Sequence, residues 1–99
     1  MKLKWDNLYI EKRWLNKNVV IRMYHSYKEV LKQVGLNIVY YRKEKNLTQL
    51  ELAEKVNISN TYLSQIECGL VKKFVSLPVL IDISNALDVS ISELFMFKQ

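Results

Sequence analysis

Residues that make turns and cross-links are scarce in this sequence. Its 99 residues include two glycines, one proline, one cysteine and one histidine. All-β folds need many turns and draw on glycine and proline for them, so the shortage favours an all-α domain. One cysteine excludes an internal disulfide and a four-thiolate zinc site, which fits a reducing cytoplasm. A single histidine, His25, with no nucleophile or paired acid beside it gives no catalytic constellation, so neither enzyme activity, metal nor cofactor is expected. No apolar run approaches the roughly 20 residues that span a bilayer, and no signal-peptide pattern opens the sequence. What is present is ordinary globular material, 49% hydrophobic and 25% charged, enough for one domain.

Charge is unevenly spread. The net formal charge is +5. Residues 1–23 contain Lys2, Lys4, Lys12, Arg13, Lys17 and Arg22 against Asp6 and Glu11, a net of +4. A basic balance points to an anionic partner. For the main body, however, any partner must be argued from motifs.

From Ser26 onward, helix signals are dense. Ser26 with Glu29, Thr48 with Glu51 and Ser90 with Glu93 each read as a capping box ahead of an apolar-periodic stretch. Gly69 stands where a helix ending in Ile66-Glu67-Cys68 needs a left-handed residue to stop. Ser76 precedes a stretch with Pro78 in its first turn, where a missing amide proton costs little. Leu77, Leu80, Ser84 and Leu87 form one face of that stretch, widened by Ile81, Ile83 and Ala86. Five helices are expected, near 26–45, 49–55, 60–67, 77–87 and 91–96. Residues 1–25 form an extension, with residues 26–99 as the domain. The extension's Trp5, Leu8, Trp14 and Val19-Val20-Ile21 suit an arm packed on the body, a partner-binding arm or a DNA-touching arm.

Function is carried by residues 49–68, QLELAEKVNISNTYLSQIEC. Two short helices meet at a tight turn on Asn57, a residue that tolerates a left-handed backbone. Ala53 is small where the helices cross. Leu52, Val56, Ile58, Leu63 and Ile66 fill the angle between them, and Ser59 suits the cap of the second helix. This is a helix-turn-helix pattern whose second helix is free to enter a major groove. From about Val34 to Phe97 the sequence resembles the Cro/CI-type domains of phage repressors and xenobiotic-response-type bacterial regulators. The resemblance rests on Arg42, TQLELAEKV, LSQIE with Gly69, and SLPVLIDISNALDVSISELF. It implies a five-helix, lambda-repressor-like DNA-binding domain. Two features depart from the family pattern: Asn57 replaces the usual glycine, and Leu70 to Val75 is longer than the common form.

Asn60, Thr61, Ser64 and Gln65 fall on the face of the second helix opposite Leu63 and Ile66. Asn and Gln can bond adenine bidentately and the Thr methyl can pack on a thymine methyl. With no Lys or Arg on this face, guanine reading is not expected and the operator should lean toward A·T. The resemblance further implies that Gln49 bonds a phosphate and braces the recognition helix, that Lys43, Ser59, Lys72 and Lys73 contact phosphates, and that Arg42 and Glu67 form a structural ion pair. The expected function is transcriptional regulation, as a cytoplasmic repressor dimerising on a double-stranded operator, with Phe95, Met96 and Phe97 near the interface. Tyr40, Tyr41 and Tyr62 suit packing rather than base stacking. The alternative is an antitoxin or adaptor whose N-terminal arm binds a protein. No membrane partner is expected.

Overall fold

The computed structural model describes residues 26–71 and 75–97. Among the described residues five helices follow one another: α1 Tyr27–Glu44, α2 Gln49–Lys55, α3 Asn60–Cys68, α4 Leu77–Leu87 and α5 Ile91–Leu94. There are no strands among the described residues. This is the five-helix, all-α arrangement expected from the sequence. The arm of residues 1–25, His25 included, lies outside the described residues.

The helices start where the sequence marks them. Ser26 and Thr48 each accept from the amide three residues on, at 3.1 and 3.0 Å, while Glu29 and Glu51 reach back to the cap amides at 2.7 and 2.8 Å. Accepting from the Thr48 amide holds the Glu51 carboxyl below its ordinary value of 4.5. The third box does not form. Ser90 stands at the N-cap of α5 without a side-chain cap bond, and its hydroxyl pairs with that of Ser92. Glu93 is occupied elsewhere, accepting from the Tyr41 hydroxyl at 2.7 Å, a bond that also raises the Tyr41 pKa. A long-range partner outbids the local one.

The helix ends show how a glycine-poor chain makes its turns. Helices α1 to α4 all terminate in one motif. A left-handed residue follows the helix, its amide bonds a carbonyl three back, and the next amide bonds five back. The left-handed residues are Asn46, Asn57, Gly69 and Asp88, with φ of 57°, 58°, 69° and 62°. Three of the four positions therefore use Asn or Asp, the side chains that reach this region at least cost after glycine.

The core is built from Val34, Ile38, Leu52, Ala53, Leu63, Ile66, Val75, Leu80, Ile83, Leu87 and Leu94, one face from each helix. Val75 joins from the connection between α3 and α4. Leu77 and Ile81, expected on the apolar face of α4, are instead exposed, because that face runs through Leu80, Ile83, Ser84 and Leu87. Phe95 packs partly buried against the core. Tyr40 is half exposed and meets Tyr41 edge to face at 5.0 Å.

Helix α1 crosses α3 at Gly35. A Cβ there would lie 2.5 Å from the Glu67 carbonyl oxygen and 2.6 Å from that of Ile66. Only a residue without a side chain lets the two backbones come this close. A second contact ties α1 to the C-terminal end. Buried Asn37 donates to the carbonyls of Leu94 and Met96, at 2.9 and 2.8 Å, and accepts from Gln33 at 2.9 Å. The carbonyls left open where α5 ends are thus satisfied from α1.

Candidate nucleic-acid interface

Helices α2 and α3 form the helix-turn-helix. Asn57 is left-handed at the turn, and Ile58 donates to the Ala53 carbonyl at 3.0 Å, closing the angle. Ala53 is 1% exposed, consistent with a close crossing. Ser59 caps α3 by accepting from the Tyr62 amide at 3.0 Å. Its hydroxyl hydrogen stays available to a phosphate at the start of the helix, where the dipole favours an anion.

The two faces of α3 are chemically opposite. Leu63 and Ile66 are buried, whereas Asn60, Thr61 and Gln65 are exposed and Ser64 is half-buried. The outward edge therefore carries amides and hydroxyls and no charge. Such groups can match the donors, acceptors and methyls on base edges in the major groove.

Glu67, in the last turn of α3, is 8% exposed. It is held from two other helices. Arg42 Nε reaches Oε2 at 2.7 Å and Nη2 reaches Oε1 at 3.1 Å, while Gln49 Nε2 donates to Oε1 at 2.9 Å. Arg42 Nη1 also donates to the Leu47 carbonyl at 3.0 Å. Three donors, two from Arg42 and one from Gln49, thus fix α3 relative to α1 and α2. The planar fork of Arg sets orientation as well as distance, which a lysine would not do. Gln49 stands in the first turn of α2, and one hydrogen of its Nε2 remains for a phosphate after the bond to Glu67. Lys43 is exposed on the last turn of α1. Lys72 and Lys73 lie outside the described residues.

Sequence reasoning missed Gly35, where α1 crosses α3 behind this surface, and Asn37, which closes the C-terminal end of the bundle. A glycine inside a helical pattern is itself a signal of close backbone approach. The role of Asn37 had no local signal, since the carbonyls it donates to are 56 to 59 residues away. Among the described residues no group of His, Cys, Asp and Glu is arranged to hold a metal. No helix there is long and apolar enough to cross a membrane. Cys68 is exposed at the end of α3.

A helix-turn-helix carried on a bundle of this shape defines a class, and comparison with known proteins agrees. The Helix-turn-helix family model matches residues 38–94, and the chain belongs to that family. It is 43% identical over 65 residues to the HTH-type transcriptional regulator SinR of Bacillus licheniformis, covering 66% of this chain and 58% of that protein. The immunity repressor of Bacillus phage phi105 is 42% identical over 59 residues, covering 60% of this chain and 40% of the repressor. The chain thus spans about half the length of these curated relatives. Among solved structures, that of SinR, the master regulator for biofilm formation, in complex with DNA superposes with a TM-score of 0.59 and 41% identity. It covers 64% of this chain and 98% of that one.

Proposed function

We propose that the chain is a sequence-specific, double-stranded-DNA-binding transcriptional regulator of the repressor type, working in the cytoplasm as a homodimer. The observation that carries this reading is the outward edge of α3. Asn60, Thr61 and Gln65 are exposed, with Ser64 half-buried beside them, while Glu67 and its three donors hold the helix from behind. The helix lies in the major groove with Gln65 and Thr61 toward bases and Asn60 and Ser64 beside them. Gln49, Ser59, Lys43, Lys72 and Lys73 bond phosphates and fix the register. Regulation is by occupancy of the operator. The likeness to SinR, solved with DNA, and to a phage immunity repressor supports the reading. Two-fold operators favour a dimer, with Phe95, Met96 and Phe97 near its axis. Residues 26–99 form the domain and residues 1–25 an extension to it.

The experiment is selection from random duplex DNA at fixed salt. A defined site should emerge. Gln65→Ala should relax preference at one base position, and Lys72→Ala should weaken all sequences alike. Enrichment of no sequence over scrambled duplex would overturn the reading.

A further inference from the structure

The chain has two glycines, and both face the crossing of α1 and α3. Turn-making does not explain this, since three of the four left-handed helix ends use Asn or Asp. Gly35 lies inside α1, where glycine is a poor helix former. A Cβ on it would meet the Glu67 carbonyl oxygen at 2.5 Å, the Ile66 carbonyl oxygen at 2.6 Å and the Glu67 carbonyl carbon at 2.9 Å. Gly69, just past α3, answers from the other side. Its Cβ would come 3.1 Å from the Lys32 Cα and 3.4 Å from the Lys32 nitrogen. Backbone therefore meets backbone in both places, with no flexible side chain to give way. Real Cβ contacts lie beyond 3.0 Å, so a methyl at position 35 forces a displacement of at least 0.5 Å.

That displacement falls on the helix proposed to read bases. Gln65 directly precedes the two carbonyls that face Gly35, and its own carbonyl accepts from the Leu70 amide at 2.9 Å. Two turns beyond Gly35, on the same side of α1, Arg42 grips the Glu67 carboxylate at 2.7 Å, and Gln49 bonds it at 2.9 Å. The glycine crossing and the carboxylate clamp thus act on adjoining residues of α3. The clamp fixes the direction of the helix, and the crossing fixes its depth against α1. Polar recognition requires placement within about 0.5 Å, the size of the forced shift. The edge formed by Asn60, Thr61, Ser64 and Gln65 carries no charge whose longer reach could absorb it.

We infer that Gly35 is a positioning residue for base recognition: its missing side chain sets the depth at which α3 seats on α1, and through it the reach of Thr61 and Gln65 toward base edges. The inference rests on the DNA-binding reading above. Gly35 is buried behind the surface and acts only through the backbone of Ile66 and Glu67. Gly69 belongs to the same seat but also needs its left-handed backbone, so Gly35 alone separates depth from conformation.

The test compares Gly35→Ala with Ile83→Val, a core variant in α4, both in the full chain. Alanine is the better helix former, so a crossing with slack would make Gly35→Ala the more stable protein. The expected result is lower stability and, per folded molecule, a loss of affinity for the selected duplex of about tenfold or more, the size of one bidentate base contact. Preference at the position read by Gln65 should flatten, while binding to scrambled duplex, carried by phosphates, is kept. The Arg42 Nε–H resonance should shift as the clamp on Glu67 is disturbed. Ile83→Val should lose stability alone. If Gly35→Ala is too unstable to titrate, all three proteins are titrated in trimethylamine N-oxide, which favours the compact state by exclusion from the protein surface. Base preference and affinity per folded molecule equal to those of the unmutated chain would overturn the inference, however unstable the variant. An unmoved Arg42 resonance would overturn it without any DNA present. Failure of the unmutated chain to prefer any duplex would overturn the DNA-binding reading and the inference together.

Discussion

Helix α1 grips two of its neighbours by different chemistry. At its C-terminal end a charged group, Arg42, holds Glu67 of α3. One turn and a half earlier a neutral amide, Asn37, holds the open carbonyls after α5. Asn37 is buried and Arg42 largely so, and both are satisfied; no buried side-chain polar atom among the described residues lacks a partner. They differ in what is left when they break. Losing Asn37 strands dipoles, whereas losing one partner of the ion pair strands a charge. The charged anchor sits behind the surface proposed to read DNA, where orientation matters most, and the neutral one sits where only closure of the bundle is required.

That contrast can be broken in graded steps. Glu67→Ala should have the largest effect, about 3–5 kcal/mol in urea unfolding, because Arg42 is left largely buried without its counter-charge. Duplex affinity of the molecules that remain folded should fall as well. A loss under about 1 kcal/mol would mean the guanidinium finds water or another acceptor. Asn37→Ala comes next, at about 1–3 kcal/mol, for the carbonyls it leaves unbonded. Here affinity per folded molecule should not change; a matching loss of affinity would show that the two anchors act as one.

Local devices rank lower. Thr48→Ala removes one side-chain cap and should cost about 1 kcal/mol, read by thermal unfolding. The same cap has a pH signature. Folding lowers the Glu51 carboxyl value, so its contribution is present above the ordinary 4.5 and fades as pH falls through the lowered value. Glu51→Gln should therefore differ from wild type at neutral pH and converge with it as pH falls below the lowered value. A constant gap across that range would assign the cap's benefit to neutral hydrogen bonding alone. Smallest of all, Lys45→Ala breaks an exposed pair with Asp88 and should shift stability by under about 1 kcal/mol, diminishing further with salt.

Much of the fold was legible because its signals are local. Ser26, Thr48 and Ser59 mark helix starts by bonds within three residues, and Gly69 and Asn57 mark ends by backbone conformation. The outward edge of α3 followed from the placement of Leu63 and Ile66. Its use on DNA stays a proposal, as do the phosphate roles of Gln49, Ser59, Lys43, Lys72 and Lys73. Asn46 and Asp88, which end α1 and α4 in the same way, were equally readable by the same rule and went unread. The face of α4 was misjudged at Leu77 and Ile81, because helical periodicity gives the spacing of a stripe and not its centre.

The chain's own order of residues settled where helices begin and stop and which of them make the helix-turn-helix, since caps, left-handed turns and apolar spacing act over a handful of positions. Only the assembled bundle decided that Glu93 would serve Tyr41 instead of capping its own helix, that Gly35 would be the crossing point of α1 and α3, and that Asn37 would close the C-terminal end. Those outcomes depend on which groups distant in sequence come within hydrogen-bonding or van der Waals reach, and that is settled when the helices pack.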